Sequence, residues 1–320
     1  MIYFVLLLVS FSLTYFIKEF ALKKSFVALV NERSSHSVPT PHGGGLAIAI
    51  TWFLGLIYLF YTQQIEASLF YLLMLGMIIS VLSFFDDIYE LSAKLRLSIQ
   101  SIVAIVSLVM MGGFNSLDFG FFSISNTIFT NVFAFFLIVW FINLYNFLDG
   151  INGYAGAETV FLAIAGFLLF GDNHFLILLV STLGFLYWNW NKAKIFMGDV
   201  GSTLLGYNVA IFTLYYGSEE SIDFWIWIIL FSLFWFDATI TLIRRIMNAE
   251  RISEAHKKHG YQRLNQSGWS HFKVTNWAIV VNCILLCLVY FISNIFIVFS
   301  ISIMLLYGII TFIDIKKGFR

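Results

Sequence analysis

Two aspartates in succession, Asp86 and Asp87, close an apolar run in FFDDIYELSAKLRL, and a third, Asp199, sits between glycines in IFMGDVGSTLLG. Adjacent carboxylates at the C-terminal end of a helix repel each other and face the negative end of the macrodipole, so a cation between them relieves both. The same pair also suits a solvated helix end. A Gly-flanked carboxylate at a helix start can hold Mg²⁺ while unpaired N–H groups face phosphate oxygens, although the Gly-Lys-Ser/Thr of a Walker A loop is missing. In NLYNFLDGINGYAG, Asn143, Asn146 and Asp149 recur every third residue, and Asn143 and Asn146 share a helical face. Their position at the end of another apolar run marks either a polar site or a plain helix break. A last segment, IRRIMNAERISEAHKKHGYQRLNQSGWSH, is basic, aromatic and histidine-bearing, and long enough to fold over a soluble ligand. By charge alone it reads as a patch for anionic lipid.

The elements that must position these groups are membrane helices. With 60% hydrophobic residues, 11% charged residues and a mean hydropathy of +0.88, the chain lies outside the range of soluble domains. A hydrocarbon core about 30 Å thick needs about 20 apolar residues per helix. Eleven runs read as spans: 2–17, 43–61, 68–84, 97–111, 129–145, 154–170, 174–190, 203–216, 224–243, 274–291 and 294–313. The last two are divided by Ser293-Asn294 alone, which predicts a tight hairpin, since one unbroken helix would overshoot the bilayer. The expected fold is therefore a single all-α polytopic membrane domain over residues 1–320. No soluble domain or internal repeat is evident.

Charge sets the orientation. With the N-terminus outside and the C-terminus cytoplasmic, the inside segments are 18–42, 85–96, 146–153, 191–202, 244–273 and 314–320, and all eighteen Lys and Arg fall there or at a boundary. The opposite loops hold Glu66, Asp118, Asp172, Glu219, Glu220 and Asp223 and no basic residue. Met1 to Phe4 lacks a basic n-region while Lys18, Lys23 and Lys24 follow the first run, which reads as an anchor rather than a cleaved signal. Gly112 to Asn126, with alternating Leu117, Phe119 and Phe121, reads as a small hairpin on the plain outer side. Cys283 and Cys287, four apart in one run, behave as small hydrophobes. Both prolines lie in SHSVPTPHGGG, where Pro39 and Pro41 stiffen the entry to the second span and Gly43 to Gly45 let a helix start lie close to a partner or ligand. Arg33 and His36 either reach phosphate or belong to a solvated basic loop.

Taken in order, PTPHGGG, DDIYELSAKLRL, NLYNFLDGINGYAG, IFMGDVGS and HKKHGYQR closely resemble the motifs of the polyprenyl-phosphate N-acetylhexosamine-1-phosphate transferases, glycosyltransferase family 4, over nearly the whole chain. The resemblance implies a multi-pass enzyme of the bacterial inner membrane that moves a sugar-1-phosphate from a UDP-N-acetylhexosamine onto undecaprenyl phosphate and releases UMP. It implies Asp199 as the principal ligand of Mg²⁺, with Mn²⁺ as an alternative, and Asp86 and Asp87 as catalytic groups near the reacting phosphates. It also puts Phe196 against uracil, and Asn143, Asn146, Asp149 and Asn189 around the nucleotide. His256, His259, Tyr261 and Gln262 stand where the peptidoglycan branch, phospho-N-acetylmuramoyl-pentapeptide transferase, carries a histidine run. That departure resembles the O-antigen-initiating branch and implies that this loop selects an unmodified or 6-deoxy N-acetylhexosamine.

Two further departures from the family pattern are Asn152 in place of a second acid and Lys192 in place of a proline. Direct attack by the lipid phosphate is favoured, because a phosphate monoester is already largely ionised near pH 7; a covalent carboxylate intermediate is the other course. Asp237, about two turns before Arg244, reads as a structural partner or a support for the site. The rival class is a transporter of an anionic solute, which would place polar groups near mid-membrane. No nucleic-acid partner is expected, and a homodimer is left open.

Overall fold

A computed structural model describes residues 1–23, 27–28, 40–251, 254 and 256–319; Arg33, His36 and Pro39 lie outside the described residues. Each of the eleven apolar runs is helical, and the fold is all-α as expected. In chain order the helices are α1 (Ile2–Lys23), α2 (Gly45–Tyr61), α3 (Ala67–Met74), α4 (Gly76–Tyr89), α5 (Ala93–Met110), α6 (Thr127–Phe147), α7 (Tyr154–Phe170) and α8 (Asn173–Asn189). They continue with α9 (Asp199–Glu219), α10 (Ser221–Leu230), α11 (Ser232–Met247), α12 (Gly260–Gln266), α13 (His271–Phe291) and α14 (Ile295–Lys316). Among the described residues six helical stretches are long and apolar enough to cross a membrane, α3 and α4 counting as one, or seven if α10 and α11 form one span. The chain is a multi-pass membrane protein. Helices such as α2 and α7, with 17 residues each, fall below that measure because they rise only about 26 Å.

The core is α9. Every residue from Val200 to Leu214 is buried, Ser202, Thr203, Asn208 and Thr213 among them, so this helix is enclosed all round by α2, α4, α6 and α10. On α6, Phe141 presses its carbonyl so close to Gly206 that a Cβ there would come within 2.4 Å of it. On one side α8 packs against α1, α2 and α7; on the other, α13 and α14 flank α10.

Two features differ from the sequence reading. The run read as one span over 224–243 is broken at Phe231, where α10 and α11 diverge by 72°. No Pro or Gly marks the break; the Trp235 indole donates to the Ile228 carbonyl at 2.7 Å and satisfies part of the interrupted ladder. The last large loop contains a short helix, α12, that hydrophobicity did not announce. The expected hairpin between Gly112 and Asn126 is present as β3 (Leu117–Asp118) and β4 (Ser123–Ile124), with Leu117 opposite Ile124, while β1 (Val27–Ala28) and β2 (Thr40–Pro41) form a second antiparallel pair. Asn294 separates the last two helices by capping α14, its Oδ1 accepting the Phe296 and Ile297 amides. Both cysteines are free and exposed on α13, as small apolar groups on an outer face.

Candidate active site

The glycine-rich entry and the Gly-Asp-Gly segment are stitched into one body. The Phe196 amide donates to the Pro41 carbonyl (2.8 Å), the Gly44 amide to the Phe196 carbonyl (2.9 Å) and the Gly45 amide to the Met197 carbonyl (2.7 Å). Gly43 and Gly198 take positive φ values, +97° and +75°, at the two turns. α2 and α9 then start side by side: a Cβ on Gly45 would lie 2.3 Å from the Gly201 nitrogen, and one on Gly201 would lie 2.8 Å from the Gly45 Cα. Backbone cannot yield as a side chain can. Gly45→Ala is therefore expected to cost about 1–3 kcal/mol and to lower turnover about tenfold, whereas Gly308→Ala, with open space around it, leaves both unchanged. Thermal unfolding in detergent beside a turnover assay checks this, and equal behaviour of the two variants would discount the contact.

Around this frame the carboxylates converge. Asp199 opens α9, where a negative charge is favoured by the helix dipole. Its Oδ1 accepts from Asn146 Nδ2 at 2.8 Å, and the same amide donates to Ser202 Oγ at 3.0 Å. Asp86 ends α4 with its side chain only 8% exposed; Oδ1 accepts the Leu91 amide at 2.8 Å and Oδ2 pairs with Arg96 at 2.5 Å. Arg96 also stands 3.9 Å from Asp199 and so links the two acids. Asp87 accepts the backbone N–H of Asp199. His42 lies near Asp199; burial lowers its pKa while the Asp199 charge opposes that shift.

Three acids against one guanidinium leave room for a cation, and the donors are all oxygen. Among the described residues no three His, Cys, Asp or Glu side chains form a ready-made metal cage. An all-oxygen donor set is the kind that suits a hard cation such as Mg²⁺, which would keep several waters and take one or two carboxylates together with substrate phosphates. Arg96 carries no signal of its own in the sequence. It reaches Asp86 because Glu90 adopts a left-handed cap, φ +49°, and Ser92 caps α5, reversing the chain.

The amide-rich turn after α6 faces the same end. Asn143 lies one turn below Asn146 and donates to Gln100 Oε1 (2.8 Å) and the Val139 carbonyl (2.7 Å). Asp149 follows on the turn; burial, and then the Asp199 charge, hold its carboxyl well above the usual range. The structure places Asn189 differently from a pocket-lining residue. It is buried, its Oδ1 takes the Gly153 amide at 2.8 Å and its Nδ2 reaches the Ile195 carbonyl at 2.9 Å, so it clips the 148–153 turn to the loop bearing Phe196. Asn152 adds a second clip by donating to the Asn191 carbonyl at 2.8 Å, a bond that an aspartate could not make. Phe196 is half-buried at the centre of this stitched loop.

α12 lies over the turn. Tyr261 donates its phenol to the Phe147 carbonyl at 3.0 Å, stacks on Tyr154 and presses against Gly150, where a Cβ would clash with the phenol. Gln262 accepts the His259 amide at 3.3 Å. Tyr261 and Gln262 thus hold α12 in place, being buried, instead of presenting polar groups to a sugar. His259 stacks beside Phe147, and its ring centroid is 4.8 Å from that of His256. Burial depresses both imidazoles, to about 3 for His259 and about 4 for His256, aided by Arg245 on His259 and by His259 on His256. Both are neutral near pH 7; His256 Nδ1 accepts the Lys258 amide at 3.2 Å, while His259 Nδ1 is buried without a hydrogen-bond partner among the described residues. Asp237 does not pair with Arg244, which forms a two-pronged bridge to Asp314 at 2.9 Å. Instead it caps α12, accepting the Gly260 amide at 2.7 Å and the Tyr261 amide at 3.4 Å.

This arrangement gathers three carboxylates and a guanidinium at one end of the helix bundle, beside a turn rich in amides, a set suited to a diphosphate bridged by a cation. Comparison with known proteins places the chain in a family. The model of the family described as "Glycosyl transferase family 4" matches residues 69–217, which include Asp86, Asp87, Asn143, Asn146, Asp149, Asn189, Phe196 and Asp199. A probable undecaprenyl-phosphate N-acetylglucosaminyl 1-phosphate transferase of Bacillus subtilis is 34% identical over 84% of this chain and 78% of its own length. An undecaprenyl-phosphate alpha-N-acetylglucosaminyl 1-phosphate transferase of Thermotoga maritima is 28% identical over 62% of this chain and 60% of its own length. The phospho-N-acetylmuramoyl-pentapeptide-transferase of Enterococcus hirae is 27% identical, over 81% and 87% respectively. With its acids, amides and stitched glycines in that company, the chain belongs to glycosyl transferase family 4.

Proposed function

We propose that this protein transfers N-acetylhexosamine-1-phosphate from a UDP-sugar to undecaprenyl phosphate, with release of UMP, at the cytoplasmic face of a bacterial inner membrane. The observation that carries the reading is the meeting of Asp86, Asp87, Asp199, Arg96 and Asn146 at one end of an apolar bundle. A soluble donor reaches such a place from water and a lipid acceptor from the bilayer. The distribution of charge supports the orientation: Glu66 bonds Tyr215 and Asp172 bonds Tyr216 at the far end, away from the Lys- and Arg-bearing loops. The three aspartates Asp86, Asp87 and Asp199, gathered at one end, are also unlike a mid-membrane transport site. Eleven crossings, with the N-terminus outside, complete this proposal.

Asp199, with Asp86 or Asp87, would hold Mg²⁺, which neutralises the donor diphosphate and favours departure of UMP. Asn146 orients Asp199, and Arg96 is placed to meet phosphate oxygen while fixing Asp86. The amide turn and Phe196 face the nucleotide. The acceptor phosphate attacks directly, since it is already ionised and needs position more than proton removal.

Purified protein with undecaprenyl phosphate, Mg²⁺ and a panel of UDP-sugars is expected to release UMP with an unmodified or 6-deoxy N-acetylhexosamine, and only when the acceptor is present. No UMP from any sugar would overturn the reading. His259→Ala is expected to change discrimination between UDP-N-acetylhexosamines about tenfold without changing the Mg²⁺ requirement, because the buried His259 ring sets the position of the half-buried, neutral His256 imidazole beside it. Steady-state kcat/KM for several sugars measures this; the same loss for every sugar would assign His259 to holding α12.

A further inference from the structure

The face of α12 opposite Tyr261 borders a second site. Residues two apart on a helix point roughly 200° apart, so Arg263 turns away from the Phe147–Gly150 side. There a pocket of about 460 Å³ is lined by Lys257, Lys258, Arg263, Gln266, Lys317 and Gly318. Its wall carries four cationic side chains, of which Lys258 is paired with Glu250 at 2.7 Å, and it shares no residue with the Asp86–Asp199 cluster. The wall is built, not incidental. Arg263 is buried, bonded through Nη1 to Asp314 (2.5 Å) and to the Lys317 carbonyl (3.0 Å), and its Nε is buried without a hydrogen-bond partner among the described residues. Gln266 fixes the rim by donating to the Lys257 carbonyl at 2.7 Å. The Phe319 ring lies 5.4 Å from the charges of Arg244, Lys258 and Arg263, which Asp314 and Glu250 also hold in place. The pocket is lined by Lys317 and Gly318, just past the C-terminal end of α14, one of the helices long and apolar enough to cross a membrane, and the ends of such helices meet the headgroups.

We propose that this pocket binds the phosphate group of an anionic ligand, either a phospholipid headgroup or a soluble phosphate, at a site separate from the transferase centre. Clustered cations facing one cavity select phosphate by charge, and Arg263 adds a fixed donor geometry. The full chain, purified in detergent, is compared with Lys257→Gln/Lys317→Gln and with a control that loses the same charge elsewhere, Lys192→Gln/Lys273→Gln. Native mass spectrometry reads retention of phosphatidylglycerol against phosphatidylcholine, and thermal unfolding reads protection by inorganic phosphate. Wild type and control are expected to hold the ligand about tenfold more tightly than the Lys257/Lys317 variant. Loss confined to phosphatidylglycerol identifies the headgroup, and loss of protection by inorganic phosphate identifies a soluble source. Equal behaviour of all three proteins toward both probes would overturn the proposal. Transferase activity enters none of these readings, so they stand apart from the function proposed above.

Discussion

Asp199→Asn is expected to yield a folded protein whose turnover falls at least about a thousandfold. The amide keeps the shape of the carboxylate, so its Oδ1 can still accept from Asn146, which is bonded at 2.8 Å in the native site. What disappears is the negative charge at the start of α9. A neutral amide cannot hold a divalent cation against a diphosphate, and the 3.9 Å attraction to Arg96 vanishes with it. UMP release beside a thermal unfolding curve separates chemistry from folding, and near-native turnover at ordinary Mg²⁺ would remove Asp199 from the site.

The adjacent acids should fail in different ways. Asp86 is bonded on both oxygens, to the Leu91 amide and to Arg96. In Asp86→Asn the guanidinium loses its close partner and is free to move onto Asp199, competing with the cation there. Turnover is expected to drop about a hundredfold, with part of the loss recovered at high Mg²⁺. Asp87→Asn leaves Arg96 in place but weakens the acceptor for the Asp199 amide, so it should lose about as much with no recovery. Titrating Mg²⁺ for the two variants decides the matter, and native activity in both would reduce the pair to a helix end.

Asp86, Asp87 and Asp199 stand out in the sequence as carboxylates at the edges of apolar runs, although the pair suits a solvated helix end equally well until the fold sets it beside Asp199 and Arg96. The helices are legible because each run needs to satisfy its backbone internally. Arg96 is not, because its reach depends on the backbone conformation of Glu90 and Ser92. Nor is the division of labour inside HKKHGYQR, where helical rotation sends Tyr261 toward Phe147 and Arg263 toward Asp314. Asn189 looks like a ligand for the nucleotide until both ends of its amide are found between loops. The bend at Phe231 leaves no trace, because neither proline nor glycine causes it.

The meeting of Gly45 with Gly201 carries a consequence for how the enzyme can change over generations. When two large residues touch, an enlargement on one side can be answered by a reduction on the other, and a lineage drifts through such exchanges. A glycine facing a glycine has no smaller residue to which it can retreat. Selection for second-site suppressors of Gly45→Ala should therefore return revertants at codon 45, or changes along α2 and α9 that slide one helix past the other. It should not return substitutions at position 201.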